Sequence, residues 1–304
     1  MKFVIALGGN ALGDNPAEQQ KNIKKTVKQL LPLLSNHQVI ITHGNGPQVG
    51  MIDLAFEDSY EDESIPHMPL TESVAMSQGY IGFHLEKSIR YEFKLQNINK
   101  QVAALITEIE VDKNDPAFKR PTKPIGSFYD KEMADYYKEK YHQLFVEDSG
   151  HGYRKVVASP MPKKIPALET IKLLLKNNHT IICCGGGGIP ISTTNIEEGI
   201  NGVIDKDQVS ALLAKEINAD ALVILTTVDQ VFINYNQPTQ KALSKVSVSE
   251  LEAYIKDNQF AEGSMLPKIE ACISFVKGSK KKAYITSLKN LKNINDVSTI
   301  IYDH

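Results

Sequence analysis

Three glycine-rich segments follow apolar runs in this sequence, and their positions could create a binding site for an anion. Each begins where a β-prone run ends: Gly8 and Gly9 follow residues 3–7, His43 and Gly44 follow residues 39–42, and four glycines at 185–188 follow residues 180–184. Glycine lets a ligand approach the backbone closely. Loop amides ahead of a helix N-terminus bind phosphate at the carboxyl edge of a parallel sheet. One glycine pair is often only a tight turn, but three such segments favour a shared anion site.

Three lysines beside turns could neutralise that anion. Lys268 follows Pro267, and proline suits the first turn of a helix. A lysine there opposes the helix dipole, so it needs an anion nearby. Lys206 lies in a short acidic segment, and Lys123 stands between two prolines that hold it rigidly. On local grounds, a solvated basic loop explains the segment around Lys123 equally well.

The chemistry that these residues favour is phosphoryl transfer. Backbone amides and cations stabilise a phosphoryl group in transit, where positioning and charge neutralisation provide most of the catalysis. The sequence contains no Ser-His-Asp arrangement, metal-ligand cluster, complete dinucleotide fingerprint or P-loop motif. It therefore predicts a kinase outside the P-loop class. His43 is a candidate catalytic residue, although a histidine at a strand end is more often a hydrogen-bonded structural group.

Length and composition narrow the class of protein and its partners. The 304 residues are 42% hydrophobic and 23% charged, and 34 basic residues against 36 acidic ones give a net charge of −2. That balance predicts neither a nucleic-acid nor a membrane partner, and no apolar run reaches the ~20 residues that span a bilayer. The three cysteines have no zinc or disulfide spacing. We expect a cytoplasmic protein with buried, reduced thiols.

Strand and helix patterns alternate along the chain, which predicts an α/β fold whose largely parallel sheet is covered on both faces. Further predicted strands are residues 102–111, 156–158, 221–225, 283–286 and 299–302. Predicted helices include residues 23–34, 72–97, 167–176, 248–256 and 267–276 and one that ends at residue 217. Residues 53–63 are acidic and predict a loop. The long helix takes its apolar side from Met76, Tyr80, Phe83 and Ile89, which predicts core or a subunit interface.

Residues 113–155 interrupt the alternation of strands and helices. This segment is rich in proline, lysine and aromatic residues. We interpret it as an inserted subdomain that stands off the sheet, after which residues 156–158 resume the alternation.

Taken together, the motifs closely resemble those of the carbamate kinases, which belong to the amino-acid kinase fold family. The resemblance runs essentially from end to end and depends on Leu7-Gly8-Gly9-Asn10-Ala11, residues 43–50, Met76-Ser77-Gln78-Gly79, Pro121-Thr122-Lys123-Pro124-Ile125-Gly126, residues 185–190, Ile204-Asp205-Lys206-Asp207 and Gly263-Ser264-Met265-Leu266-Pro267-Lys268. The inserted segment matches too, and it separates carbamate kinases from shorter relatives.

The resemblance implies a three-layer α/β/α sandwich with a small protruding subdomain. Residues 1–195 would form an amino-terminal lobe for carbamate or carbamoyl phosphate, and residues 196–304 a carboxyl-terminal lobe for the nucleotide. It also implies a homodimer that uses ATP with Mg²⁺ and carbamate, or ADP and carbamoyl phosphate. In the arginine deiminase pathway such enzymes run towards ATP.

The resemblance also implies roles for individual residues. Lys123, Lys206, Asp207 and Lys268 would be catalytic. Gly8, Gly9, Asn10, Gly44 and Asn45 would bind the substrate and the phosphoryl group, and Gly186, Gly187, Lys206, Met265 and Lys268 the nucleotide. No protein ligand to a metal is implied, because Mg²⁺ would sit on the nucleotide phosphates. Related kinases carry a lysine where this sequence has Ala6, and Lys123 is the natural replacement.

Other functions stay open at this stage. A catalytically silent nucleotide-binding regulator could keep the fold, although it would be expected to lose at least one of the four catalytic residues. Departures at Thr227, Gln230 and residues 71–73 leave room for a paralogue with another small carboxylate acceptor. A dinucleotide-binding oxidoreductase is disfavoured because the glycines after the first strand have the wrong spacing.

Overall fold

A computed structural model describes residues 1–9, 12, 15–59, 68–148, 150–195, 197 and 199–303. Its strands are β1 (Lys2–Leu7), β2 (Gln38–His43), β3 (Val102–Ala104), β4 (Glu108–Val111), β5 (Lys123–Tyr129), β6 (Phe145–Glu147), β7 (Tyr153–Val157), β8 (Pro162–Lys164), β9 (Thr180–Ile182), β10 (Ile189–Ser192), β11 (Ala221–Thr226), β12 (Val231–Ile233), β13 (Lys241–Leu243), β14 (Lys245–Ser247), β15 (Lys282–Ser287) and β16 (Thr299–Tyr302).

The helices fall between these strands, as the sequence predicts for an α/β protein. They are α1 (Pro16–Asn36), α2 (Gly46–Ser59), α3 (Leu70–Leu95), α4 (Lys131–Tyr141), α5 (Leu168–Lys176), α6 (Lys206–Glu216), α7 (Val248–Lys256), α8 (Leu266–Ser279) and α9 (Ile294–Val297). Short 3₁₀ turns lie at Pro116–Phe118, Gly185–Gly187 and Leu288–Asn293.

A central sheet of eight described strands has the order β14-β16-β15-β11-β1-β2-β9-β3. Neighbouring strands run parallel except for β15 and β16. Successive residues of β1 face opposite sides, since Val4 and Ala6 pack in one core cluster and Ile5 and Leu7 in another. One cluster lies under α6 and α8 and the other under α1 and α3. Because β1 is buried on both faces, its sequence is a continuous apolar run. Helices cover both sides of the sheet, so the predicted three-layer sandwich is confirmed.

The predicted single strand at residues 102–111 is wrong. Residues Val102–Ala104 form the edge of the central sheet, whereas Glu108–Val111 pair in parallel with β10 in a separate three-stranded sheet with β8. The backbone therefore leaves the central sheet between β3 and β4. An apolar, β-prone composition cannot show this break, because both pieces have it.

The inserted segment contains a small antiparallel sheet, β5-β7-β6, together with α4. Val156 and Val157 belong to this sheet, where they pair with Pro124 and Lys123. The prediction that residues 156–158 resume the α/β alternation is therefore wrong. The sheet packs against α2 through Ile125, which is buried beside Val49.

Two helix predictions also need correction. Residues 53–59, predicted as loop, belong to α2, whose Val49 is fully buried and whose Asp53 is nearly so; residues 60–63 lie outside the described residues. On α3 the core face consists of Ile81, Leu85, Ile89 and Phe93, which recur every four residues as a helix requires. Met76 and Phe83, predicted on the apolar side, are 37% and 55% exposed, so they are not part of the core of this chain. The alternative expectation, a subunit interface, stays a prediction.

No helix among the described residues is long and apolar enough to cross a bilayer.

Burial predicts how the thiols react. Cys183, Cys184 and Cys272 are free and buried, and a thiol must be exposed and ionised to react quickly. An aromatic disulfide reagent should therefore modify the native protein slowly and all three thiols at once after denaturation. A rapid equivalent in the folded protein, measured by release of the coloured thiolate, would contradict the described packing.

Candidate active site

A cleft of about 150 Å³ opens at the carboxyl ends of the central strands. Three helices begin at or beside it, since Gly46 of α2, Lys206 of α6 and Pro267 of α8 all line it. Helix N-termini carry unpaired backbone N–H groups and a partial positive charge. Their dipoles favour an anion in the cleft, although at α6 the N–H groups of Asp207 and Gln208 are already taken by the Asp205 cap.

Asp207 holds two lysines at the cleft. One carboxylate oxygen accepts a hydrogen bond from Lys206 Nζ, and the other lies 3.3 Å from Lys268 Nζ. Only 3% of the Asp207 side chain is exposed, against 12% for Lys206 and 18% for Lys268. Lys268 also donates to the Ser264 carbonyl at 3.0 Å. Two ammonium groups that would otherwise repel each other are thus fixed on one buried carboxylate.

A third lysine reaches the cleft from the inserted segment. Lys123, the first residue of β5, donates to Asp205 Oδ2 at 2.5 Å. Asp205 also caps α6 by accepting from the backbone N–H groups of Asp207 and Gln208. Burial acts to raise the pKa of Asp205, but the charges of Lys123 and Lys206 and the hydrogen bonds outweigh it and lower this pKa to about 2. Asp205 is therefore ionised at neutral pH.

Glycines bring the backbone segments into contact around the cleft. A Cβ on Gly44 would lie 3.6 Å from the Lys206 side chain and 3.7 Å from the Gly9 nitrogen. Gly186 has a φ of +63°, and a Cβ there would lie 2.1 Å from Asn45 Nδ2. No other residue type fits at Gly186 without displacing Asn45. Asn45 in turn donates to Ser77 Oγ at 2.8 Å, which fixes its orientation.

His43 is placed as a structural residue. It is 1% exposed, and its Nδ1 donates to the Gly44 carbonyl at 3.0 Å. Burial is the main cause that lowers its pKa to about 4, and the charge of Lys206 lowers it further. The imidazole is therefore neutral at physiological pH. A Cβ on Gly185 would lie 2.4 Å from His43 Nε2, so the ring is enclosed by the glycine segment.

A larger cavity of about 500 Å³ adjoins the cleft. Ser264 and Lys268 line both spaces, so the two meet at these residues. Apolar and aromatic residues line much of the larger cavity: Val228, Phe232, Tyr235, Phe260, Ala261 and Met265. Polar residues complete it: Thr226, Thr227, Asn234, Gln237, Asn258 and Gln259. A cavity with aromatic and neutral polar lining beside a cationic cleft suits a ligand with a flat, uncharged end and an anionic end.

The structure places most of the sequence-predicted residues around these two spaces. The cleft is lined by Gly44, Asn45, Lys123, Gly186, Lys206, Asp207 and Lys268, and Met265 lines the larger cavity. Gly9 lies beside Gly44. Gly8 and Gly187 do not line the cleft; a Cβ there would meet the carbonyl oxygens of Leu225 and Ile204 at 2.9 and 2.0 Å. Asn10 lies outside the described residues.

Four residues around the two spaces have no role predicted from the sequence: Asp205, Phe232, Tyr235 and Phe260. Asp205 carries a usable signal, because aspartate is a favoured N-cap residue and it directly precedes Lys206. The aromatic residues carry none, since isolated aromatic residues in short strands and loops are common. Their shared position appears only once β12 and the segment before α8 are folded together.

Comparison with known proteins places the chain in a family. The model of the amino acid kinase family matches residues 1–287. The chain belongs to the amino acid kinase family. A carbamate kinase from Staphylococcus haemolyticus is 48% identical over 305 residues, which cover 99% of each chain. One from Staphylococcus epidermidis is 48% identical over 294 residues, or 95% of each.

Solved structures of the family agree with the sequence relatives. Carbamate kinase from Giardia lamblia bound to AMP-PNP has a TM-score of 0.88 and 38% identity, and the match covers 100% of this chain and 98% of that one. The same enzyme bound to citric acid has a TM-score of 0.91 and 37% identity, with the same coverage. The resemblance expected from the sequence motifs is confirmed.

The ion network predicts which lysines matter. Replacing Lys206 or Lys268 by alanine removes a fixed cation from the cleft, and losing one preorganised donor typically costs about 10²–10³-fold in turnover. We expect each variant to lose at least ~10²-fold in kcat while its melting temperature stays close to that of the wild type. Lys172→Ala is the matched control, because Lys172 pairs with Glu169 on α5 at 2.8 Å, away from the cleft. Normal turnover in either cleft variant would show that its cation plays no part in catalysis.

Proposed function

We propose that this chain catalyses reversible phosphoryl transfer between ATP and carbamate, giving ADP and carbamoyl phosphate. The observation that carries the proposal is the cationic cleft, where three lysines and three helix N-termini face one small space beside the larger cavity. The carbamate kinases that match over nearly the full chain support the acceptor.

The proposed mechanism needs no general base. Carbamate is already an anion, so its oxygen can attack the γ-phosphorus of ATP without losing a proton. Neutral His43, whose Nδ1 is occupied by a backbone carbonyl, is not required. The task of the protein is to position two anions and to neutralise the charge on the phosphoryl group as it passes between them. Lys206 and Lys268, fixed by Asp207, supply two of the charges.

The nucleotide would lie across both spaces. We place the adenosine in the larger cavity between Phe232, Tyr235 and Met265, and the phosphates at Lys268, which lines both spaces. Carbamate would lie at the other end of the cleft, near Gly44 and Asn45. This orientation corresponds to an amino-terminal lobe (1–195) for the acceptor and a carboxyl-terminal lobe (196–304) for the nucleotide. The backbone atoms of Gly8, Asn10 and Gly187 would surround the phosphates and the carbamate.

Lys123 would supply the third charge on the phosphoryl group. Ala6, where related kinases carry a lysine, is fully buried in the core and offers no cation. Lys123 enters the cleft from the inserted segment and is held by Asp205. With phosphate present, the ammonium group can exchange its carboxylate partner for a phosphoryl oxygen. Closure of the segment over the cleft would also keep water from carbamoyl phosphate.

Magnesium would bind through the nucleotide. The described residues contain no group of three or more His, Cys, Asp or Glu side chains able to hold a metal, and Asp205 and Asp207 already pair with lysines. Mg²⁺ keeps several waters and binds through one or two carboxylates and substrate phosphates, which fits this cleft. The ion would add positive charge on the phosphate oxygens.

We also propose that the protein is a homodimer through α3. Four large apolar side chains on this helix are exposed: Met76, Phe83, Tyr91 and Leu95 at 37, 55, 61 and 55%. A stripe of this size on the longest helix fits burial against a second copy.

The cytoplasm is the proposed compartment, where buried free thiols stay reduced. There the enzyme would run towards ATP in the arginine deiminase pathway.

The activity has a direct test. Purified protein should form ATP from ADP and carbamoyl phosphate in a luciferase-coupled assay, and chelation of divalent cations should stop the reaction. Acetyl phosphate serves as the competing phosphoryl donor in a parallel assay. A folded protein without activity towards carbamoyl phosphate would contradict the proposal, and faster turnover with acetyl phosphate would indicate a different acceptor.

The dimer is tested by solution mass. The wild type should sediment as a dimer, and the double variant Phe83→Asp/Tyr91→Asp as a monomer, because two charges would be buried at the interface. Leu173→Asp is the control, since Leu173 on α5 is 59% exposed and lies outside the stripe. A wild-type monomer, or a dimer unchanged by the α3 substitutions, would rule out this interface.

A further inference from the structure

A buried ion pair joins the small sheet that carries Lys123 to helix α2. Lys155 Nζ on β7 lies 2.8 Å from Asp53 Oδ2 on α2, and 17% and 8% of the two side chains are exposed. One turn before Asp53, Gly50 meets the small sheet so closely that a Cβ there would lie 1.9 Å from the Gly126 Cα. Helix α2 and the small sheet are therefore in backbone contact at Gly50 and Gly126, and one turn later they are joined by the ion pair of Asp53 and Lys155.

Strand pairing connects this ion pair to the cleft. In the ladder of β5 and β7, Lys155 lies opposite Ile125, and Val157 lies opposite Lys123. Ile125 is buried with Val49 of α2 in a small apolar cluster. The contact of Lys155 with α2 therefore also fixes the position of Lys123, which lies two residues further along the same pair of strands.

We propose that Asp53 and Lys155 are positioning residues, which dock the small sheet on α2 and so hold Lys123 at the phosphoryl group. The proposal rests on the function proposed above, since it assigns Lys123 a part in that reaction. A buried pair that loses one partner leaves an uncompensated charge. The remaining charge would favour an undocked, hydrated position of the sheet, with Lys123 withdrawn from Asp205. Neither residue lines the cleft of Lys123 and Asp205, so their effect on catalysis has to pass through the sheet.

The first test is a split between turnover and nucleotide affinity. We expect Lys155→Met and Asp53→Asn each to lower kcat at least ~10-fold, because a displacement of about 1 Å can cost up to 10²-fold, and to leave the Kd of ADP within about twofold, because the larger cavity lies elsewhere. Lys164→Met is the control, since Lys164 pairs with Glu110 at 2.9 Å outside the small sheet. The exchanged pair Asp53→Lys/Lys155→Asp should recover part of the lost turnover. Unchanged kcat in Lys155→Met overturns the proposal.

A double-mutant comparison tests whether Lys155 acts through Lys123. The kcat of the double variant Lys123→Ala/Lys155→Met should be no lower than that of Lys123→Ala alone. Once the Lys123 ammonium group is absent, displacement of the sheet can no longer affect its position. Losses that multiply would show that Lys155 has a separate role and would overturn the proposal.

Hydrogen exchange tests docking without relying on activity. In Lys155→Met the amides of β5 should exchange faster than in the wild type, while those of β1 and β2 stay unchanged. Unchanged β5 exchange overturns the docking role, even if the wild type forms no ATP. Absence of ATP formation by the wild type alone contradicts the proposed function instead.

Discussion

The carboxylate of Asp207 lies between the ammonium groups of Lys206 and Lys268, almost completely shielded from water. This arrangement solves an electrostatic problem. Cations close enough to share one phosphoryl group repel each other, and each loses hydration in a narrow cleft. One buried carboxylate in the first turn of α6, where the helix dipole favours negative charge, offsets both costs. The protein itself therefore fixes both lysines, as the proposed phosphoryl transfer requires.

Close backbone packing builds the rest of the site on this network. Gly186 fits over Asn45 only because it lacks a side chain, and Gly50 allows β5 to reach α2 in the same way. The first contact brings the ends of β2 and β9 to the cleft. The second brings the inserted segment to the same edge, so that Lys123 meets Asp205. Substitution at either glycine would move a whole element rather than one side chain.

Many residues of the site could be predicted because they lie directly after a predicted strand or at the start of a predicted helix. The rule that ligands bind at the carboxyl edge of a parallel sheet selects Gly44 and Gly186 from sequence alone, and Pro267 marks the start of α8. The partner of Lys123 could not be predicted, since Asp205 is 82 residues away and their contact depends on how the small sheet docks. The core side of α3 could not be told from its exposed apolar side at Phe83, since Met76, Tyr80 and Phe83 also recur at helical spacing.

Substitution of the shared carboxylate tests the central claim, that one buried charge preorganises two catalytic lysines. Asp207→Asn keeps the size of the side chain but removes the charge that holds Lys206 and Lys268. We expect kcat for ATP formation to fall at least ~10²-fold, the scale of losing preorganised stabilisation, and the Kd of ADP to change far less. Turnover equal to that of the wild type, in a variant with an unchanged melting temperature, would contradict it.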